Sequence, residues 1–393
     1  MRFGRVSPLQ VSKFITHLRE HYLIWHSKSI YIPLFVFLFI RIPLFFIVYL
    51  GLLIKPPYRN PALWRAFPNC LFLEGWARWD SGWYFSIVVS GYNYMPGQQS
   101  NVSFFPLYPI LIRLLNPIFG NIVLTAIIIA NLCFLLSLVV LYKLVIKKFN
   151  DENTAIKTLI FIVLYPFSFF FSAAYSESLF LLLVLLSFYF SENKKWEFSS
   201  IFAMLAAVTR VVGLALLPAF LLKYLKDTQF NFKNVKADIF CFLFIPIGLL
   251  SYILFLYLKF GEPLAFLKSQ QMWGRHLFDF SSHIFTLKHL LSLNYKTTLH
   301  FFYLILTLVF TGLLLPIYRF LGISYAITSF LFIFIPFITG IESMGRYLSV
   351  VFPCFIMMGY LIRSKFISFL IYTIFAILLI NFSIFFARGG WVI

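Results

Sequence analysis

Charge is what this chain has least of. Only 11% of its 393 residues are Asp, Glu, Lys or Arg, while 61% are hydrophobic. A soluble domain carries about 25% charged residues, so there is too little charge here to cover a water-facing surface. Acidic residues are the scarcer sign, 13 against 32 Lys plus Arg, for a formal charge of +19. No basic soluble module exists to hold nucleic acid, so none is expected as a partner. A basic excess in an apolar chain lines the cytoplasmic ends of spans and faces anionic membrane lipid. Cysteine is sparse as well. Cys133, Cys241 and Cys354 lie in apolar runs and Cys70 stands alone in a loop, which leaves no disulfide framework and no zinc site to expect. His276, His283, His289 and His300 lack metal-ligand spacing to carboxylates and read as solvated residues. No cleavable leader is expected either. Residues 1–29 are basic and mixed, with Arg2, Arg5, Lys13, Arg19 and Lys28, and Ile30–Ile54 is too long for a signal-peptide core.

Apolar runs are what the chain has in abundance. After Ile30–Ile54 they fall at 121–146, 154–174, 176–191, 196–211, 213–225, 237–259, 298–319, 322–340, 345–363 and 366–387. Several reach the roughly 20 residues that cross a bilayer core as helix, and helix is the expected element because it satisfies its own backbone in lipid. The expectation is an all-α polytopic membrane protein of roughly 10–11 transmembrane helices: a cytoplasmic N-terminal segment at 1–29, then a single membrane domain at 30–393.

The Lys and Arg distribution orients the spans. Lys147, Lys148, Lys157, Lys194, Lys195, Lys223, Lys226, Lys233, Lys236, Arg319, Arg363 and Lys365 all fall inside under one threading. That threading keeps Phe104–Gly120, with Pro106, Pro109 and Pro117, from crossing as a straight helix. It also breaks 196–225 into two short passes near Gly213. Both long connections, 55–120 and 260–297, then lie outside, together with the junctions at Tyr175–Ser178, Arg210 and Glu342–Arg346.

Almost all the unusual polar residues share that external face. Arg78-Trp79-Asp80 precedes an aromatic stretch, Trp83, Tyr84, Ile87, Val88 and Tyr92, at helical spacing. An interfacial helix fits this pattern. Asp80 reads two ways, as the N-cap of that helix or as a general base on an acceptor hydroxyl. Ser103–Pro109, with Tyr108, is a proline-broken interfacial segment or the lining of a lipid or sugar groove. Glu177 follows Ser176 at the start of a span, where it complements the helix dipole or accepts from sugar hydroxyls. Arg210 lies within an apolar run; it snorkels to the interface or holds a phosphate. Gln271, Trp273 and Arg275 follow Gly261-Glu262-Pro263-Leu264 and offer a stacking face for a sugar and a phosphate clamp. Arg346, beside Tyr347, either binds phosphate or pairs with Glu342.

These segments together, in this order, resemble the GPI mannosyltransferase II (PIG-V) family, the dolichyl- or polyprenyl-phosphate-mannose-dependent enzymes, and in composition a prokaryotic-like member of it. The resemblance rests on Trp79-Asp80, Ser103–Pro109, Tyr175-Ser176-Glu177-Ser178, Ala207–Gly213, Gly261–Leu267 with Gln271 and Trp273, and Gly345-Arg346-Tyr347. Glu262 stands where many relatives have Asp. The resemblance implies a GT-C-like helix bundle with an external interfacial helix. It implies Asp80 as catalytic base, with Trp79, Arg78, Tyr108, Glu177, Arg210, Gln271, Trp273, Arg275 and Arg346 binding substrate. The implied partners are a polyprenyl-phosphate sugar donor and a lipid or glycan acceptor, with no cofactor and no metal. The membrane is the cytoplasmic one in a prokaryote, the endoplasmic reticulum in a eukaryote. Rival readings are a transporter or flippase of lipid-linked sugars and a GT-C enzyme using another polyprenyl-phosphate sugar. A transporter needs access from both faces, and it has no use for Asp80 as a base.

Overall fold

A computed structural model of the protein describes residues 8–55, 70–278, 280–289 and 295–392. Arg2 and Arg5 lie outside the described residues, as do 56–69 of the first long connection and 290–294 of the second. Among the described residues every regular element is a helix. The chain is a polytopic all-α membrane protein. Among the described residues five helical stretches are long and apolar enough to cross a membrane: Ser27–Ile54, Ile122–Phe149, Ala237–Phe260, Lys296–Phe320 and Lys365–Ala387. The helix that contains the first of them starts earlier than the apolar run, at Pro8, and continues unbroken to Ile54. Proline suits the first helical turn, where its missing N–H is no loss, and no glycine or proline follows until Pro33.

The other runs are shorter helices or are interrupted. The interruption at 165–176 matters most. Helix Glu152–Leu164 stops at Tyr165, a short 3-10 turn spans Ser168–Phe171, and helix Glu177–Glu192 begins only at Glu177. Every residue from Tyr165 to Ser178 is buried. Irregular backbone at membrane depth is tolerated only when protein satisfies it, and side chains do so here. Arg41, itself 2% exposed within the first span, donates to Ser168 O at 2.9 Å. The Ser168 hydroxyl donates to Val163 O at 2.6 Å and Ser178 to Phe171 O at 2.8 Å. Asn131 donates to Ser172 O at 3.3 Å, and Ala174 N–H to Trp76 O at 2.8 Å.

The run 196–225 is two short helices joined by a reversal. Helix Trp196–Thr209 ends at Arg210, Val211–Ala215 form a 3-10 turn, and helix Leu216–Asp227 returns, so that Tyr224 meets Trp196 with ring centroids 5.4 Å apart. Gly213 permits the reversal: a Cβ there would sit 2.6 Å from the Ala206 and Ala207 backbone. Leu107–Phe119 is a 13-residue helix despite Pro109 and Pro117. At 1.5 Å per residue it is about 20 Å long, too short to cross upright. It buries Tyr108 and Ile112 and turns Ile110, Leu114 and Ile118 outward, an apolar outer face suited to lipid.

Helix Glu177–Glu192 joins two polar clusters. Its C-terminal Glu192 binds Lys148 at 2.8 Å and Lys223 at 2.9 Å, while Lys147 donates to Glu192 O and Asn193. Its N-terminal Glu177 binds Arg210 and Arg346. Sixteen residues put these clusters about 24 Å apart. The second long connection differs from expectation. Helix Ser281–Lys288 packs on helix Tyr295–Gly312, so His283 and His300 are 6% and 5% exposed rather than solvated. His283 meets the Phe337 ring at 4.4 Å.

If the Glu177 end faces outside, single cysteines replacing the exposed residues Gln98 and His276 will react with an impermeant maleimide added to intact cells, and those replacing Asn153 and Ser364 will react only after lysis. Labelling of positions 98 and 153 from the same side would overturn the threading.

Candidate active site

Two carboxylates and three guanidiniums meet at the N-terminal end of helix Glu177–Glu192. Glu177 is the deepest, with 1% of its side chain exposed. Its Oε1 accepts from Arg210 Nη1 at 2.6 Å and forms an ion pair with Arg346 Nε at 3.4 Å. Glu177 Oε2 is buried with no hydrogen-bond partner among the described residues. Arg346 Nη1 donates to Asp80 Oδ2 at 2.5 Å. Asp80 is the most open of the four, 23% exposed against 8% for Arg346 and 17% for Arg210. Its other oxygen, Oδ1, makes no hydrogen bond among the described residues.

Tyr347 gathers the cations. Arg210, Arg275 and Arg346 lie 5.2, 5.1 and 5.4 Å from the centroid of its ring, within the range where an aromatic ring attracts a cation. Arg275 is tethered by donation to Glu342 O at 3.0 Å. Glu342 pairs with Lys296 at 3.1 Å rather than with Arg346. Three guanidiniums thus face two carboxylates, a surplus of one positive charge that suits a singly charged phosphodiester.

Each side chain is delivered by a local device. Gly345 lets Arg346 approach the core, because a Cβ there would fall 2.4 Å from the Phe167 ring, and Tyr165 donates to Gly345 O at 3.0 Å. Asp80 is the first residue of helix Asp80–Ser90, not its N-cap. The cap position is Trp79, at φ 54°, and no side chain caps the helix. Tyr175 takes up the loop backbone instead: its hydroxyl accepts from Asp80 N–H at 3.2 Å and donates to Arg78 O at 3.1 Å. The capping reading of Asp80 is therefore corrected; its carboxylate is turned to Arg346. Ser176 caps nothing either, and its hydroxyl accepts from Tyr84 at 2.8 Å.

The structure brings Asp80, Glu177, Arg210, Arg275 and Arg346 together. Other sequence candidates lie elsewhere. Arg78 is buried, donating to Ala387 O at 2.8 Å and paired with Glu74 at 3.4 Å. Tyr108 is fully buried and donates to Ala126 O at 3.1 Å. The Trp79 indole donates to Gly390 O at 3.1 Å and packs edge-on to Trp391. Trp273 packs edge-on to Trp83 and Phe104, centroids 5.5 and 5.9 Å away. Gln271 opens into an outer cavity with Glu262, whose carboxyl is held below its usual range by the Lys268 hydrogen bond. Tyr175, Tyr347 and Trp391 carry roles that sequence reading did not assign. For Tyr347 the signal was present, an aromatic residue next to Arg346.

The family model described as mannosyltransferase (PIG-V) matches residues 51–260, the stretch that contains Asp80, Glu177 and Arg210. The chain belongs to the mannosyltransferase (PIG-V) family. GPI mannosyltransferase 2 of Drosophila pseudoobscura pseudoobscura is 34% identical over 135 residues, which cover 32% of this chain and 29% of that protein. The match thus spans less than a third of the curated relative. The fold is shared with ArnT from Cupriavidus metallidurans, solved bound to undecaprenyl phosphate. Its TM-score is 0.52 at 13% identity, over 89% of this chain and 62% of that one. Across the PIG-V match and beyond it, the cluster is assembled from five separate parts of the sequence, so each ion pair also ties the fold.

Glu177→Gln will leave Arg210 and Arg346 short of a counter-charge in a buried place. Breaking such a pair from one side costs about 3–5 kcal/mol. The variant is expected to unfold at clearly lower temperature in detergent than the wild type, whereas Asp80→Asn, at the more exposed edge, is expected to melt within a few degrees of it. Equal melting of all three would show that Glu177 does not hold the cluster.

Proposed function

We propose that the protein is a mannosyltransferase that moves a sugar from a polyprenyl-phosphate donor to a hydroxyl of a lipid-linked or glycolipid acceptor on the external face. The observation that carries this reading is the pairing of a half-open carboxylate, Asp80, with a group of guanidiniums in excess of their counter-charges. The ArnT structure was captured with undecaprenyl phosphate, a leaving group of the kind this reading requires, and the GPI mannosyltransferase 2 relative supports mannose as the sugar.

In the reaction, the free Oδ1 of Asp80 takes the proton of the acceptor hydroxyl. The oxygen's electron pair forms the new bond to the anomeric carbon. The bond from that carbon to the phosphate oxygen breaks, and its electrons leave on the phosphate. Arg346 orients Asp80 through Oδ2 and, with Arg210 and Arg275, meets the charge that grows on the departing phosphate, the role of a preorganised electrostatic site. One displacement inverts the anomeric centre. Glu177 is too deep to touch substrate and serves to hold Arg210 and Arg346 in place. A transporter needs a passage beneath this site; buried packing from Tyr165 to Leu185 favours the enzyme.

Asp80→Asn tests the assignment, because it removes the proton acceptor and keeps the shape. With Arg346 still paired to Glu177, the variant is expected to fold and to lose transfer rate on the order of a hundredfold or more, the scale of general-base catalysis. Transfer at the wild-type rate by a folded Asn variant would remove Asp80 from the role of base.

A further inference from the structure

The residue that directly precedes Asp80 is strained. Trp79 holds φ at 54° and ψ at −112°, a conformation that a bulky residue keeps only where its surroundings over-determine it. Its torsions set the direction in which Asp80 leaves the backbone, so whatever holds Trp79 also aims the carboxylate. Part of the hold is local, since Gly82 N–H donates to Trp79 O at 3.0 Å. The rest comes from residues 309 and 311 positions further along the chain.

Those residues stand at the end of the last span, Lys365–Ala387, and in the segment 388–392 that follows it. Gly389, at φ 88°, closes the helix: its N–H donates to Phe386 O and that of Gly390 to Phe385 O, both at 2.8 Å, the pattern of a glycine-terminated helix. Gly390 then lies flat on the Phe385 ring, where a Cβ would fall 2.3 Å from it. Two residues on, the fully buried Val392 is pinned by Tyr303, whose hydroxyl donates to Val392 O at 2.7 Å. The segment is thus anchored at both ends, and its middle faces Trp79. Gly390 O accepts from the Trp79 indole at 3.1 Å, and the Trp391 ring meets it edge-on at 4.6 Å. One residue earlier, Arg78 Nε donates to Ala387 O at 2.8 Å. Gly75 fits so closely that a Cβ there would fall 2.8 Å from Ala387 Cβ. All of these contacts fall on residues just before the base.

We propose that the segment 388–392 is a strap that positions the base: Gly390 and Trp391 hold Trp79 in its strained conformation and so fix where the Asp80 carboxylate stands. This rests on the transferase reading above and adds Trp79 and Trp391 to it as positioning residues. Arg346 fixes Asp80 through one oxygen only, and the strap supplies the second constraint, on the backbone. A base displaced by about 1 Å loses rate on the order of a hundredfold. Trp391 is 45% exposed, so truncating it disturbs the loop it holds rather than the core of the bundle.

Kinetics and amide exchange test the strap separately. Protein in lipid nanodiscs is assayed with radiolabelled polyprenyl-phosphate mannose and a membrane lipid extract, and exchange is followed by mass spectrometry without donor. Trp391→Ala is expected to lower kcat by about ten- to a hundredfold, with KM for the donor within about twofold of wild type. Trp391→Phe keeps an aromatic edge against Trp79 and is expected to recover most of the rate. On an Asp80→Asn background Trp391→Ala is expected to remove nothing further, because residues that act as one unit are not additive. Exchange over 77–82 is expected to quicken in Trp391→Ala by about threefold or more, with that over 216–227 as in wild type. A higher KM at unchanged kcat, or losses that multiply in the double variant, would make Trp391 a substrate contact and overturn the positioning role. Exchange over 77–82 equal to wild type would overturn it as well. A wild type that transfers no sugar overturns the transferase reading instead, and the exchange measurement then decides alone whether the strap holds the loop.

Discussion

Burying Glu177 at the head of a helix forces most of the architecture around it. An ionised carboxylate taken out of water costs several kcal/mol unless it is matched, and its match comes from two directions, Arg210 and Arg346. Arg210 reaches it because helix Trp196–Thr209 ends there and reverses over Gly213. Arg346 reaches it because Gly345 closes on Phe167. Asp80 is then fixed by Arg346, and Tyr347 holds Arg210, Arg275 and Arg346 at one ring. The network is a chain of dependences with its most buried member, Glu177, at the root and its most open member, Asp80, at the edge, where the proposed reaction needs its base.

The broken segment 165–176 supplies the other half of that logic. A continuous helix from 154 to 191 would carry Glu177 through the bundle as one of many side faces. The break makes Glu177 the first residue of a helix instead, where a carboxylate complements the helix dipole. It also places Tyr175 to hold the backbone at Arg78 and Asp80. The buried Arg41, donating to Ser168 O from the first span, is part of what such a break requires.

Much of this was legible in the sequence, and for specific reasons. Charge poverty and apolar runs announced helices in a membrane, and lysines at 147, 148 and 223 marked one end of the bundle, where Glu192 now gathers Lys148 and Lys223. Gly213 marked the reversal, since only a glycine tolerates backbone at 2.6 Å. The site motifs named Asp80, Glu177, Arg210, Arg275 and Arg346 without showing that they meet. Pair contacts between residues 266 positions apart, such as Asp80 and Arg346, leave no local pattern. Arg78 and Tyr108 show the same limit: next to Trp79 and within a proline-rich stretch they look like lining residues, and only the fold shows them buried, with Arg78 Nε donating to Ala387 O and the Tyr108 hydroxyl to Ala126 O. His283 and His300 looked solvated because a loop sequence does not reveal that it will form a helix and pack.

Transfer of a sugar from a lipid phosphate is the reaction proposed for this cluster. Purified protein incubated with polyprenyl-phosphate mannose, radiolabelled in the sugar, and a membrane lipid extract tests it directly. Label is expected to appear in a new lipid-soluble product as unlabelled polyprenyl phosphate accumulates, in equal amounts. Label that stays on the donor throughout, with protein that binds the donor and only moves it across the bilayer, would contradict it.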